Sequence, residues 1–541
     1  MLKKLSFIFL SLIIITSCQT GSLRDSFDAS YKYAQNTPYG RYPETVTYTL
    51  AHMAGVNNSY MPEGDTSENN AYTRYLSKKL NIQNINKIDE VEDRYFKAVN
   101  YSILKKNIPD VMIINNYHDL QYLVEHDMIE DLSTAYKKCT TQRIKDIYNS
   151  YPSILNHVTI NGKLYAMPET NINDGPNLFW CREDWLKECG LQAPKTLTDV
   201  ENIVRTFKKK KKTVGLVTDT SLTAGTGFSS EYLLNLYFAS YNTYPKQWIM
   251  KGNQANYGSV DQNVKKVLSH LHELYKEGVL DQKFLERTSN NIAQLIIDGQ
   301  CGAFFGPWWV PNNPLVTAKQ KDASINWKPY RIETNKNGET TYHSINPSTK
   351  YVVVRKGFKH PEIIFKIISV IFDYLRYENM NVKEINDYYR LNVDPTARPI
   401  SINVDYKNAL HRSYENVQAI LNGEKKRDVM AIDYPYAEAC KNYLKNDKKN
   451  QAENWAAYAS RIEALKLLET PLVKEVNSVY FGTTKTMMIK WWRLEEMEKD
   501  TYLKIICGKD SVSSFDQFVK KWYEHGGSEI TKEVNQEIKK W

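Results

Sequence analysis

Pro109-Asp110 turns the chain into Val111-Met112-Ile113-Ile114, four apolar residues with no polar residue between them. A strand with one face in water alternates apolar and polar side chains. An unbroken run this short, placed directly after a turn, belongs to a strand covered on both faces, as parallel strands are. Upstream, Val46 to Ala51 (VTYTLA) is rich in β-formers and opens the folded part. Asn69 to Leu80 puts Tyr72, Tyr75, Leu76 and Leu80 on one helical face, and Val91 to Lys105 reads as a second helix. Strand, helices and buried strand in that order predict an α/β lobe.

The same alternation continues downstream. Asp184 is expected to cap a helix that Gly190 stops, and Thr198 with Glu201 forms a capping box for a helix running into Lys208. Tyr351 to Val354 is β-branched, and Pro361 starts a helix over Glu362 to Tyr374. Phe515, Phe518, Val519 and Trp522 follow helical spacing, and Gly526-Gly527 is expected to close that helix. No repeat of fixed period and no Pro/Ser-rich linker divides the chain, so the α/β elements group best into two lobes joined by several crossings.

The amino terminus bears on compartment. Lys3 and Lys4 precede the eleven uncharged residues Leu5 to Ile15, too few for the roughly 20 that a bilayer span needs. This pattern predicts a signal peptide over residues 1–17. Ile15-Thr16-Ser17-Cys18 has the order of a lipobox, which makes Cys18 an acylated amino terminus at a membrane surface and residues 18–37 a tether. An ordinary secretory cleavage site beside an incidental cysteine is the alternative. The other cysteines, Cys139, Cys181, Cys189, Cys301, Cys440 and Cys507, contain no CxxC pair and in so large a chain read as buried thiols, with bridges among the six in an oxidising compartment as the alternative. A net charge of +9 over 541 residues is too small to argue for nucleic acid.

Catalytic signatures are absent: there is no GxSxG, GxxxxGK[ST] or HExxH, and His270 and His272-Glu273 lack metal-ligand spacing. Aromatic residues make up 12% of the chain, and most of them must be core. The segment Gly299 to Pro314, GQCGAFFGPWWVPNNP, differs because its glycines and prolines break regular structure. Trp308 and Trp309 are therefore expected in a loop, where flat rings can meet the C–H faces of sugars. The alternative is that both rings plug an apolar seam. The five lysines Lys208 to Lys212 read as a solvated helix end.

Taken in order, PDVMII, EHDMIEDL, NGKLYAMP, FWCREDWLKECGLQAPKTLTDVENI, LYKEGVLDQKF, DGQCGAFFGPWW, YVVVRKGFKHPE and the block FGTTKTMMIKWWRLEEMEKDTYLKIICGKDSVSSFDQFVKKWYEHGGSEITKEVN resemble the family 1 extracellular solute-binding proteins. More narrowly, they resemble the large lipoprotein subgroup that serves ABC importers of oligosaccharides. The resemblance implies a two-lobe α/β fold of the periplasmic-binding-protein type (type II) with a hinge, and residues 38–164 with a return near 349–374 as the first lobe. The second lobe would take 165–348 and about 402–541. The resemblance also implies an oligosaccharide ligand, permease subunits as partners, a lipid-anchored monomer facing outside the cytoplasm, and no catalysis, cofactor or nucleic acid.

In this reading Trp308 and Trp309 are the main stacking surface. Glu169, Asn171, Asn173 and Asp174 follow YAMP at a lobe crossing and reach inward, although turn chemistry around Gly175-Pro176 would account for them equally well. The loop after VTYTLA would bring His52, Asn57 and Tyr60, and the loop after VMII would bring Asn115 and Tyr117. Relatives often carry a calcium-like acidic loop where this chain has Lys208 to Lys212. Ammonium groups cannot ligate a hard cation, so no metal is expected there. A secreted carbohydrate-active enzyme and a binding lipoprotein for a peptide or a sensor partner are the rival readings.

Overall fold

The structure is a computed structural model and describes residues 26–55, 61–151, 154–223, 232–391, 393–424, 428–446 and 451–539. In chain order the strands are β1 (Val46–Ala54), β2 (Ile82–Val91), β3 (Val111–Ile114), β4 (Thr159–Ile160), β5 (Lys163–Leu164), β6 (Met167–Pro168) and β7 (Leu178–Arg182). They continue with β8 (Trp248–Lys251), β9 (Gln254–Tyr257), β10 (Ala303–Gly306), β11 (Trp327–Tyr330), β12 (Thr340–His343), β13 (Tyr351–Val354) and β14 (Val473–Val476).

The chain divides into two units. One runs to Asn171 and takes back Pro347–Lys407, and the other comprises Ile172–Asn346 and Asn408 onward. The first crossing thus falls after Asn171 rather than after residue 164, because β6 pairs with β13 and holds the chain in the first sheet through Pro168. The return also extends beyond residue 374. The helix Lys383–Leu391 stays in the first unit, where Tyr388 accepts a hydrogen bond from the Ala71 backbone N–H at 3.2 Å and Glu384 pairs with Arg74.

The first unit is built on one five-stranded sheet of order β2-β1-β3-β13-β6, with β1 parallel to β2 and β3, and β13 antiparallel to β3 and β6. All four residues of β3 are buried, as its unbroken apolar run requires. Asp110, the turn residue before it, staples three strands. Its carboxylate accepts from the N–H and Oγ1 of Thr49 at 2.8 and 2.7 Å and from Nη2 of Arg355 at 2.6 Å. Sequence periodicity did not reveal β2, because IQNINKIDEV has few β-formers. It is an edge strand whose Ile82 and Asn84 point inward while its outer half stays wet.

Residues 26–35, expected as tether, are a helix docked on this unit. Its carboxyl end is held by the buried Lys366, whose Nζ donates to the carbonyls of Ala34 and Thr37 at 2.8 and 2.7 Å. Tyr31 adds a hydrogen bond to His360 at 2.9 Å. Orphaned carbonyls at a helix end attract a cation, which explains why a lysine side chain is tolerated here at 0% exposure.

The second unit carries a three-stranded antiparallel sheet of order β10-β7-β11, two further strand pairs, β12-β14 and β8-β9, and most of the helices. Local details differ from expectation. The helix Leu197–Lys211 starts two residues earlier than predicted, with Thr196 and Asp199 as its capping box, because Glu201 is buried and hydrogen-bonded to His270. Asp184 lies inside the first turn of helix Glu183–Cys189 and pairs with Arg182 instead of capping it. Gly526 does not end the helical run. At φ 133° it kinks the chain through a π-helical turn into the helix Ser528–Ile538. Cys139, Cys181, Cys301 and Cys440 are buried free thiols, and Cys189 and Cys507 are half-buried ones.

Candidate functional site

Parallel strands gather the loops at their carboxyl ends, and antiparallel neighbours bring their own ends to the same edge. In the first unit this edge collects Asn115 after β3, Tyr351 at the start of β13, and Glu169 after β6, since Tyr351 is paired with both Ile114 and Pro168. Asn115 is exposed, and the half-buried Tyr117 opens a helix capped by Asn116.

Glu169 is only 5% exposed, and its carboxylate accepts from Lys350 Nζ and Thr349 Oγ1, each at 3.0 Å, and from the Asn403 N–H at 3.3 Å. It ties together three stretches of chain beside the crossing. The Asn171 N–H donates to Pro347 O at 2.9 Å, joining the ends of two crossings in the same way.

His52 is not in a loop. It lies within β1 at 0% exposure, with Nδ1 2.8 Å from Asp89 Oδ1 and Nε2 2.8 Å from Thr396 O. Both ring nitrogens face oxygen acceptors inside the first unit, which makes His52 a structural tie rather than a ligand contact. Burial raises the Asp89 pKa, but hydrogen bonds from His52 and Ser67 outweigh it and leave the carboxyl below its ordinary range. Asn57 and Tyr60 lie outside the described residues, as does Cys18.

In the second unit, β10 and β11 flank β7, and the end of β10 meets the start of β7 at Gly306 and Leu178. The segment from Gly299 is therefore less broken than its glycines and prolines suggested, with a strand at Ala303–Gly306 and a π-helical turn at Pro311–Leu315 on either side of the tryptophans. Trp308 is 6% exposed and Trp309 is half-buried.

Trp308 donates its indole Nε1–H to Asp174 Oδ1 at 3.1 Å. The Arg461 guanidinium lies 4.6 Å from the Trp308 ring and 4.0 Å from that of Tyr436. Burial pushes the Asp174 carboxyl above its ordinary pKa, against the Trp308 hydrogen bond and the Arg461 charge, which both favour the ionised form.

Asn173 is occupied by turn and packing chemistry. Its Oδ1 accepts from the Gly175 N–H at 3.0 Å and from Tyr342 at 3.1 Å, and its Nδ2 lies 3.3 Å from Glu475. Gly175, at φ 70°, needs the left-handed conformation that the turn imposes.

The second-unit edge thus brings together Trp308, Trp309 and Asp174 of the expected residues, and adds Arg461 and Tyr436. Arg461 escaped the sequence reading because ASRIEALKLLE looks like an ordinary amphipathic helix. Nothing in it signals that a distant tryptophan stacks there. A cavity of about 320 Å³ at the start of helix Gln262–Glu277 contains none of these residues. Among the described residues no three His, Cys, Asp or Glu side chains are grouped to hold a metal ion, and no helix is long and apolar enough to cross a membrane.

Comparison with known proteins agrees with this architecture. The chain is 21% identical over 465 residues to the polygalacturonan/rhamnogalacturonan-binding protein YtcQ of Bacillus subtilis (strain 168), covering 83% of each chain. It is 20% identical over 411 residues to lipoprotein LipO of the same organism, covering 72% of this chain and 74% of that one. The solved structure of an extracellular solute-binding protein from Bifidobacterium longum subsp. infantis shares the fold, with a TM-score of 0.61 at 13% identity over 92% of this chain and 98% of that one. The model of the bacterial extracellular solute-binding proteins matches residues 74–345, half of the sequence, and the chain belongs to that family.

Proposed function

We propose that this protein captures an oligosaccharide outside the cytoplasm and delivers it to an ABC importer, and that a lipid on Cys18 keeps it at the membrane surface. The observation that carries the reading is the end of the β10-β7-β11 sheet, where Trp308 is hydrogen-bonded to Asp174 and the half-buried Trp309 follows it in the chain. Sugar rings offer apolar C–H faces and a rim of hydroxyls, and a flat aromatic surface with fixed polar groups answers both. Membership of a solute-binding family supports capture without chemistry, and a relative named for binding polygalacturonan and rhamnogalacturonan supports the class of solute. Ile15-Thr16-Ser17-Cys18 and a relative named as a lipoprotein support the anchor.

Asn115, Tyr117 and Asn171 are the first unit's contribution in this reading, while Glu169 and Asn173 hold the backbone around the crossing. Three crossings between units supply a hinge, and a ligand that binds the closed arrangement better drives closure. The protein works as a monomer with permease subunits as its partners.

The test is a panel of oligosaccharides scored by thermal unfolding, where a ligand at 100 times its Kd adds about 2.7 kcal/mol. The ligand should be recovered unaltered, and small-angle scattering should show a smaller radius of gyration at saturation. Cleavage of the ligand would support an enzyme instead.

A further inference from the structure

The helix Glu92–Leu104 connects β2 to β3, which both run parallel to β1, so it carries the chain back to the end of the first unit's sheet where those strands begin. Tyr95, Val99 and Ile103 turn to the core. Lys97, Tyr101, Leu104 and the cap residue Lys105 repeat at helical spacing on the opposite side, and all four are exposed. Tyr101 is 64% exposed and Leu104 is 76% exposed, one turn apart, with Lys105 Nζ 5.5 Å from the Tyr101 ring.

The charge around this pair has one sign. Residues 94–109 include Arg94, Lys97, Lys105 and Lys106 and no acid. Arg94 pairs with Glu90, but among the described residues no carboxylate lies within 4.0 Å of Lys97, Lys105 or Lys106. Arg41 and Lys78 are exposed cations at the same end of the sheet, joined by Arg41 Nε donating to Lys78 O at 3.3 Å. Glu44 is an exposed acid there, whereas Asp110, Asp127 and Glu130 are paired with Arg355 and Lys356.

The amino terminus reaches the fold at this end too. The Tyr42 N–H donates to Leu80 O at 3.0 Å, the Val46 N–H to Asn81 O at 3.0 Å, and Tyr31 of the docked helix meets His360, five residues after Arg355, whose N–H bonds to Asp110 O. Cys18 precedes Ser26 by eight residues. That length spans at most about 29 Å, so a lipid on Cys18 keeps the first unit close to the bilayer.

We propose that this end of the first unit is a second membrane contact, resting on an anionic bilayer surface. Tyr101 and Leu104 enter the headgroup region and the unpaired lysines meet lipid phosphates, the division of labour that interfacial helices use. The edge that carries Asn115 lies at the other end of β3 and is turned away from the bilayer. A contact of this kind has no spanning segment and is reversible, so it holds the protein between deliveries to the permease. The proposal rests on the anchor reading above for proximity and deepens it.

The experiment uses full-length Cys18→Ala protein, which carries no acyl chain, in flotation with vesicles of phosphatidylcholine alone and with about one-third phosphatidylglycerol. The protein should float with the anionic vesicles at least about tenfold more than with the neutral ones, and added salt should release it. Lys105→Glu with Lys106→Glu should reduce that partition at least about tenfold, and Tyr101→Ser with Leu104→Ser at least about threefold. Lys209→Glu with Lys521→Glu, exposed positions of the second unit with the same change in charge, should leave it within about twofold. Equal partition to both vesicles, a partition unmoved in both first-unit variants, or an equal loss in the second-unit variant would overturn the inference and leave the patch to a protein partner or to net charge. Because the protein tested has no acyl group, these outcomes are independent of the anchor, whose own failure is read from the mass of the wild-type chain.

Discussion

The indole Nε1 of Trp308 donates to Asp174 Oδ1 at 3.1 Å across 134 residues of sequence, and this bond fixes the edge of a ring whose face is held by Arg461. A buried indole N–H without an acceptor would cost about 1–3 kcal/mol. Asp174 therefore serves the ring's position whatever else it contacts.

Trp308 and Trp309 should separate in their effects. Trp308→Ala removes a nearly buried ring and is expected to destabilise the fold by about 3–5 kcal/mol in denaturant titrations. Trp309, half-buried, should cost less stability when truncated, while its loss weakens the cognate sugar roughly thirtyfold, about 2 kcal/mol, in calorimetry. If both variants fold and bind like wild type, the tryptophans are packing residues and the site lies elsewhere.

Glu498 should make stability fall as pH rises. It is 3% exposed, hydrogen-bonded by Tyr257 at 3.3 Å, and burial, with Glu495 adding to it, raises its pKa to about 7. Between the unfolded value near 4.5 and about 7 the folded state holds more protons than the unfolded state, so this stabilisation is complete below pH 4.5 and is lost by pH 7. The loss amounts to at most about 3 kcal/mol. Glu498→Gln should flatten that slope in unfolding curves taken from pH 5 to 8, and an unchanged slope would locate the titration elsewhere.

Lys366→Met should release the helix at residues 26–35 from the first unit. It deletes the bonds to Ala34 O and Thr37 O and leaves both carbonyls without that donor, at a cost of about 1–3 kcal/mol. Limited proteolysis should then cut near residue 37 well before the wild type is cut, with ligand affinity unchanged. Protection equal to wild type would show that Tyr31 and its ring contacts suffice.

EDTA should leave the melting temperature where it was. Five lysines, Lys208 to Lys212, close the helix Leu197–Lys211, with Lys211 paired to Glu188, and ammonium groups cannot ligate a hard cation. A fall that calcium reverses would reveal a site built from other residues, since removing a structural cation removes folding free energy.

Cys18→Ala should move the protein from the membrane fraction to the soluble fraction, or leave an uncleaved precursor. Mass spectrometry of the mature wild-type chain should show an acylated amino-terminal cysteine, and a different start without acyl mass would refute the anchor.

The sequence by itself determined the elements whose signal is local. VMII read as a strand covered on both faces, YVVV as a β-branched run, and the spacing of Tyr72, Leu76 and Leu80 as a helix. Family resemblance was legible for the same reason, because motifs in order need no knowledge of contacts. Tertiary structure decided everything that depends on partners far along the chain. His52 looked like a loop residue until β2, ten residues of weak strand propensity, covered β1 and brought Asp89 to its ring. Glu169 looked free until Lys350 and Asn403 reached it, and Arg461 looked like helix surface until a π-helical turn laid it on Trp308. Propensity and periodicity act over a few residues, whereas burial and charge pairing are set by which distant segments each sheet brings to its own edge.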